Sequence, residues 1–448
     1  MIVLKFGGTS VGSVENFRKV ARIVSSVEGS KIVVLSAMSG VTNTLVAISK
    51  FLYSGEAARA QGLIEELNDK YNRVLEELLE TEALRERARQ LLDDHLDLLL
   101  RISSEPFTAV QERIVLAQGE LISTNLFHLY LEESGHDNRL LNALDFMRTD
   151  PNGEPQLDFI AKQLGRSLEN LGSNATCITQ GFICRNSEGQ IANLKRGGSD
   201  YSASLIGAAL EADQIQIWTD IDGMHNNDPR YVEKTHSVAE MSFDEAAELA
   251  YFGAKILHPQ SIIPAREKNI PVLLKNTFRP EAAGTLIHQG APVRDIRAIA
   301  AKDDITAIKI KSYRMLMAYG FLKKVFEVFE KHKTSIDMIT TSEVAVSLTI
   351  DDTTHLSEIK RGLQGFGTIE VDSELSIICI AGDIAQNKKG ITAAIFGSLR
   401  DIPIRMISYG GSNYNLSFLV KTTDKVAVLN LLNEGLFKEM KQSELVLG

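Results

Sequence analysis

Lys5 stands at the end of an apolar run, Ile2-Val3-Leu4, and just before Gly7 and Gly8. A strand that ends in a lysine and a glycine turn can hold an anion. The glycines let backbone N–H groups approach closely, and the ammonium adds a full charge. Ser10 to Ser13 then open a helix carrying Phe17, Val20, Ile23 and Val24, whose unpaired N–H groups and dipole also favour negative charge. The chemistry implied is phosphate binding. A Walker A loop places its lysine after the glycines, as G-x-x-x-x-G-K-[ST], and that string does not occur in the chain. The phosphate must therefore be held by a different fold.

Three later segments join basic or hydroxyl groups to glycine at the end of an apolar run. They are Lys195-Arg196-Gly197-Gly198-Ser199-Asp200-Tyr201, Trp218-Thr219-Asp220-Ile221-Asp222-Gly223 running on to Asp228-Pro229-Arg230, and Phe252-Gly253-Ala254-Lys255-Ile256-Leu257-His258-Pro259. With the opening and with Gln118-Gly119-Glu120, they closely resemble the aspartate kinases of the amino-acid kinase superfamily. The resemblance implies roles for single residues. Lys5, Asp200 and Lys255 form the catalytic set, with Asp200 orienting Lys5, because a carboxylate beside an ammonium keeps both charged. Arg196 takes the α-carboxylate of aspartate, where a planar fork suits two oxygens, and Glu120 takes its amino group. Thr42, Gly197, Gly198 and Ser199 complete that pocket. Gly7, Gly8, Ser10, Thr219, Asp220, His225 and Arg230 join Lys5 and Lys255 on the nucleotide side. One departure concerns His225, in Met224-His225-Asn226-Asn227, where the family usually carries a tyrosine.

The residue types suit the reaction so implied. A side-chain carboxylate has a pKa near ~4 and is ionised at neutral pH, so its attack on a phosphoryl group needs no general base. The difficulty is electrostatic, and lysine and glycine N–H groups answer it better than histidine. ATP is the implied co-substrate, with Mg²⁺ carried on the nucleotide and no protein-held metal expected. The nine histidines form no ligand-spaced pair, and Cys177, Cys184 and Cys379 are too few and scattered for a zinc site or a disulfide framework.

A chain of 448 residues implies two or three domains. Its formal charge of −10 argues against a nucleic-acid binder, so an anionic substrate must meet a local basic pocket. No basic leader opens the chain and no apolar run reaches the roughly 18 residues of a membrane span. A cytoplasmic protein without membrane contact is expected.

Residues 1–292 alternate short β-rich runs, such as Ile32-Val33-Val34-Leu35 and Ile215-Gln216-Ile217-Trp218, with helical stretches. That alternation predicts an α/β fold with a mainly parallel sheet and helices on both faces, the amino-acid-kinase fold of the resemblance. Within it, 56–101 reads as a leucine-rich helical excursion carrying Leu63, Leu67, Tyr71, Val74, Leu75 and Leu78 at helical spacing. The tail repeats itself. Gly320-Phe321-Leu322 with Phe326 recurs as Gly390-Ile391-Thr392 with Phe396, Met338-Ile339 as Met406-Ile407, and Val346-Ser347-Leu348 as Leu416-Ser417-Phe418. Two ferredoxin-like units, at 300–374 and 375–448, follow from the repeat. After an aspartate-kinase-like domain they look like paired ACT domains, which implies amino-acid sensing and a homodimer or higher homo-oligomer.

The segment from Met315 to Leu322, with Ser335, Asp337, Ser342 and Glu343, resembles the effector-binding segment of lysine-sensitive members. Groups near Gly320, Phe321 and Leu322 would take the effector's carboxylate, and Asp337 or Glu343 its amine. Lysine is the favoured effector and threonine the other. Ala318 stands where lysine-sensitive members tend to carry a hydroxyl. The alternatives are a kinase for another amino acid, or an amino-acid sensor with an inactive kinase domain.

Overall fold

The computed structural model describes residues 1–169, 172, 174–194, 197–253, 257–292, 294–315, 319–384 and 388–437. It divides into two compact units. Met1–Met224, Ala239–Phe243 and Ile256–Ala291 form the first, and His225–Val238, Asp244–Lys255 and Pro292–Gly448 the second.

The first unit contains strands β1 (Ile2–Phe6), β2 (Lys31–Leu35), β3 (Asn138–Leu141), β4 (Thr176–Gln180), β5 (Ile183–Arg185), β6 (Ile191–Asn193), β7 (Gln214–Thr219), β8 (Glu240–Met241), β9 (Val272–Asn276) and β10 (Thr285–Ile287). Eight of them form one sheet in the order β3-β4-β2-β1-β7-β9-β10-β8, with β5 and β6 a separate hairpin. Every pair in the large sheet is parallel except β9 with β10.

Strand alternation covers both faces of this sheet. Leu4, Phe6, Val33 and Leu35 join one large apolar cluster, while the intervening Val3, Ile32 and Val34 are equally buried outside it. On the second face, helix Gly198–Leu210 packs closely through Gly207, whose Cβ would fall 2.5 Å from Ile215. On the first face lie helices Val14–Ser26 and Ala109–Glu133, whose Phe17 and Phe127 rings meet edge to face at 5.7 Å.

The helical excursion is two helices, Ala57–Leu78 and Glu82–Ser103. Ala60, Ile64, Leu67, Tyr71, Leu75 and Leu78 line its buried stripe at three- and four-residue steps, and they belong to the same cluster as Phe17 and Phe127. Leu63 and Val74, also expected on the stripe, are only partly buried at its edge.

The second unit holds β11 (Ala298–Lys311), β12 (Ile339–Thr341), β13 (Ala345–Ile350), β14 (Thr368–Ala381), β15 (Met406–Tyr409) and β16 (Asn415–Lys421) in one antiparallel sheet, ordered β12-β13-β11-β14-β16-β15. The two repeats are fused through the 14-residue strands β11 and β14. Thr306–Lys311 pairs with β13, whereas Ala298–Lys302 pairs with Ile377–Ala381. The outer strand beside the second repeat thus comes from chain that precedes the first. The register shifts between Lys302 and Ile305, and Asp304 and Glu374 adopt φ of 60° and 59° at the crossover. Each repeat keeps its own core, one around Val325, Phe329 and Leu348, the other around Ile395, Phe418 and Leu429.

Candidate active site

Alternation along β1 places Lys5 on the face of Val3, where helix Gly198–Leu210 packs. Asp200 lies in the first turn of that helix, and its Oδ1 sits 2.6 Å from Lys5 Nζ, with the two side chains only 11% and 15% exposed. The pair keeps an ammonium beside the glycine turn in a place with little water to screen it.

That turn is a cradle with no room for side chains. A Cβ on Gly7 would lie 3.3 Å from Lys5 Nζ, and one on Gly8 3.0 Å from the Ala37 carbonyl. The Gly7 N–H donates to the Trp218 carbonyl at 3.3 Å, which ties the turn to β7. Ser10 is fully buried, its hydroxyl 2.7 Å from that of Thr277 and 3.4 Å from the Trp218 carbonyl. The helix that follows is capped by Ser13, which accepts from Asn16 N–H.

The turn opens on a cleft of about 450 Å³ lined by Gly8, Ser36, Ala37, Ser39, Thr42, Glu120, Phe182, Gly198 and Ser199. Thr42 is exposed on the first turn of helix Val41–Tyr53, behind Gly40 at φ 81°. Ser199 receives the Ser36 hydroxyl at 2.9 Å. Glu120 is 3% exposed, and one of its carboxylate oxygens accepts from Ala37 N–H at 3.2 Å. The other oxygen, Oε2, is enclosed and has no hydrogen-bond partner among the described residues. Burial pushes this carboxyl up to about 7. A buried acceptor of this kind suits an incoming cation.

Gly181 sets the position of Ser199. A Cβ there would fall 2.3 Å from Ser199 Cβ and 2.7 Å from its Cα. Gly181→Ala is expected to cost ~1–3 kcal/mol of stability by overpacking, read as a lower urea midpoint.

On the opposite side of β1, Thr219 Oγ1 donates to Asp220 Oδ1 at 3.1 Å at the end of β7, and Asn276 donates to Asp222. Gly197, at φ 66°, caps the Asp200 helix, so Gly197, Gly198 and Ser199 stand in sequence at its start. Arg196 and Lys255 lie outside the described residues. His225 and Arg230 belong to the second unit, where His225 bonds Thr235 at 3.1 Å and Arg230 bonds Asp228 at 2.6 Å. The structure therefore brings Lys5, Asp200, Gly7 and Gly8 together, and Thr42, Glu120, Gly198 and Ser199 around the adjoining cleft.

Residues 1–276 match the amino acid kinase family and residues 378–436 an ACT domain. Across 98% of its length the chain is 35% identical to lysine-sensitive aspartokinase 3 of Escherichia coli, covering 99% of that protein. The chain belongs to the aspartokinases. It superposes on the crystal structure of Escherichia coli aspartokinase III in complex with aspartate and ADP with a TM-score of 0.83, at 34% identity over 98% of this chain and 100% of that one. Against the same enzyme in complex with lysine and aspartate the TM-score is 0.82, at 35% identity and the same coverage.

In this aspartokinase, the sequence motifs pass over Ser36, Ala37 and Phe182, which contribute to the cleft through a hydroxyl, a backbone N–H and a ring. Ser36 and Ala37 follow β2 directly, so the strand-end rule is the signal that finds them. In the second unit, Met315, Phe321 and Leu322 pack against one apolar cluster behind Gly320, which caps helix Phe321–Lys331 at φ 76°. Ser335 is exposed, as are Ser342 and Glu343 at the tip of the β12–β13 hairpin. Asp337 is enclosed, its Oδ1 2.7 Å from Lys302 Nζ and 3.1 Å from the Tyr251 hydroxyl, while Oδ2 has no hydrogen-bond partner among the described residues. Burial pushes the Asp337 carboxyl up. Ala318 lies outside the described residues. Among the described residues no helix is long and apolar enough to cross a membrane.

Proposed function

We propose that this chain phosphorylates the side-chain carboxylate of L-aspartate with ATP, forming 4-phospho-L-aspartate and ADP, at the start of lysine, threonine and methionine synthesis. One observation carries this: a single cleft is lined by Gly8 of the phosphate cradle and by Glu120, whose enclosed oxygen has no partner among the described residues and suits an ammonium. In the reaction an aspartate carboxylate oxygen forms a bond to the γ-phosphorus as the bond to the β,γ-bridging oxygen breaks, and that electron pair leaves on ADP. No proton moves. The Mg²⁺ belongs to the substrate, arriving on ATP and offsetting phosphate charge.

The residues supply position and field. Lys5, held by Asp200, meets the transferring phosphoryl group, and Gly8 lets the backbone come close. Glu120 takes the ammonium of aspartate, Arg196 its α-carboxylate, and Thr42 and Ser199 border the bound acceptor. Thr219, Asp220, Arg230 and Lys255 serve the nucleotide, and His225 stands where a tyrosine is usual. Residues 1–292 act as the catalytic domain and the two ACT repeats as its regulatory region, through which copies associate. The protein works in the cytoplasm, in keeping with its three free, buried cysteines.

Lysine is the feedback effector. Its side-chain ammonium suits Asp337, and Glu343 at the hairpin tip gives a second carboxylate. Glu343→Ala removes an exposed charge, so it should leave folding and the uninhibited rate intact and raise the lysine concentration for half-inhibition about tenfold. An unchanged inhibition curve places the effector elsewhere. A coupled ADP-release assay with aspartate or glutamate, with lysine or threonine added, tests the whole assignment: turnover with aspartate alone and inhibition by lysine are expected.

A further inference from the structure

The helical excursion backs the cleft at Lys70, which bonds a residue that lines it. Lys70 Nζ donates to the Ser39 carbonyl at 2.9 Å. Its ammonium is partly buried, which pulls its pKa down, and its bond goes to a neutral carbonyl. Ser39 lines the cleft and precedes Gly40, which begins helix Val41–Tyr53 without a side-chain cap. The lysine thus braces the turn that presents Thr42.

Tyr71, the next residue, is 1% exposed, and its hydroxyl has no hydrogen-bond partner among the described residues. An enclosed hydroxyl left unpaired is costly, so phenylalanine would serve the packing better. Glu120 Oε2 is likewise enclosed and has no hydrogen-bond partner among the described residues. Tyr71 shares its buried apolar cluster with Ala37, whose N–H bonds Glu120, and burial and then the Glu120 charge push the Tyr71 hydroxyl up. Ala37 N–H faces the other Glu120 oxygen, and His95 faces Gln118 at 2.6 Å, two residues before Glu120. Lys5 is occupied by Asp200.

We infer that helix Ala57–Leu78 forms the back wall of the aspartate pocket, with Lys70 positioning the Ser39 turn and Tyr71 donating its O–H to Glu120 Oε2, directly or through one water, when the substrate ammonium enters. This rests on the aspartate-kinase assignment above. Both are positioning residues, acting through the groups that meet the substrate.

The test is steady-state kinetics across pH on the full-length enzyme carrying Tyr71→Phe, Lys70→Met or Glu120→Gln. Tyr71→Phe should raise the KM for aspartate about five- to tenfold at pH 7. It should also move the acid limb of that KM to higher pH, because a donor favouring the carboxylate is lost. Its kcat and its KM for ATP should stay within about twofold of wild type, with no loss of thermal stability. Lys70→Met should raise the KM for aspartate without moving the limb. A purely structural hydroxyl would leave KM and limb untouched in Tyr71→Phe, and that result, with Glu120→Gln impaired, overturns the inference alone. An unimpaired Glu120→Gln overturns the pocket assignment itself.

Discussion

Lys5→Ala is expected to lower kcat about a thousandfold while the KM values for ATP and aspartate stay within about tenfold of wild type. The ammonium is fixed by strand alternation and by the 2.6 Å contact with Asp200, so it is in place before substrate binds and need not reorganise as charge shifts. Two anions, a carboxylate and a triphosphate, must meet, and this cation does most where negative charge accumulates on the transferring group. The substitution also leaves Asp200 largely buried without its partner. A thermal melt therefore accompanies the kinetics, and the Lys5→Ala/Asp200→Asn double variant should recover stability but not turnover. A Lys5→Ala enzyme with a tenth or more of the wild-type rate removes Lys5 from the mechanism.

The second large effect is on pH. Burial raises the Glu120 carboxyl from 4.5 to about 7, and only its ionised form attracts the ammonium of aspartate. The KM for aspartate should therefore fall as pH rises towards 7 and level above it, with about a tenfold rise per unit on the acid side. The stability sign is fixed by the same shift. The folded state binds this proton more tightly than the unfolded chain, so Glu120 costs no stability below about pH 4.5 and an increasing amount as pH climbs to about 7. Aspartate offsets that cost, so its stabilisation of the enzyme against heat should grow over the same interval. Glu120→Gln should remove the acid limb and raise the KM for aspartate at neutral pH. A KM for aspartate that ignores pH between 5 and 8 excludes Glu120 as the ammonium site.

The Lys5–Asp200 pair and the glycine turn were legible because their signals are local. A lysine two residues before a glycine pair at a strand end needs only the period of a strand to aim it, and Asp200 is aimed by its place in a helix's first turn. Glu120 was reached through the Gln118-Gly119-Glu120 motif, yet its environment was not legible: the bond from Ala37 N–H crosses 83 residues of sequence, and burial is a product of packing. Tyr71 read as one apolar residue of a stripe, since nothing in the helical period distinguishes a buried ring from a buried hydroxyl. In the tail, the repeat exposed two helix–strand patterns but not their fusion. The strand contributed by Ala298–Lys302 pairs with Ile377–Ala381 far along the chain, and the shift that allows it rests on positive φ at Asp304 and Glu374, both inside long strands.

A carboxylate oxygen of aspartate is expected to receive the phosphoryl group in the cleft beside Lys5. Incubation with Mg-ATP, L-aspartate and hydroxylamine tests it most directly, because an acyl phosphate is trapped as a hydroxamate. β-Aspartyl hydroxamate is expected in step with ADP release, with none from glutamate and none from the Lys5→Ala enzyme. ADP release without hydroxamate, or hydroxamate formed equally by Lys5→Ala, would contradict it.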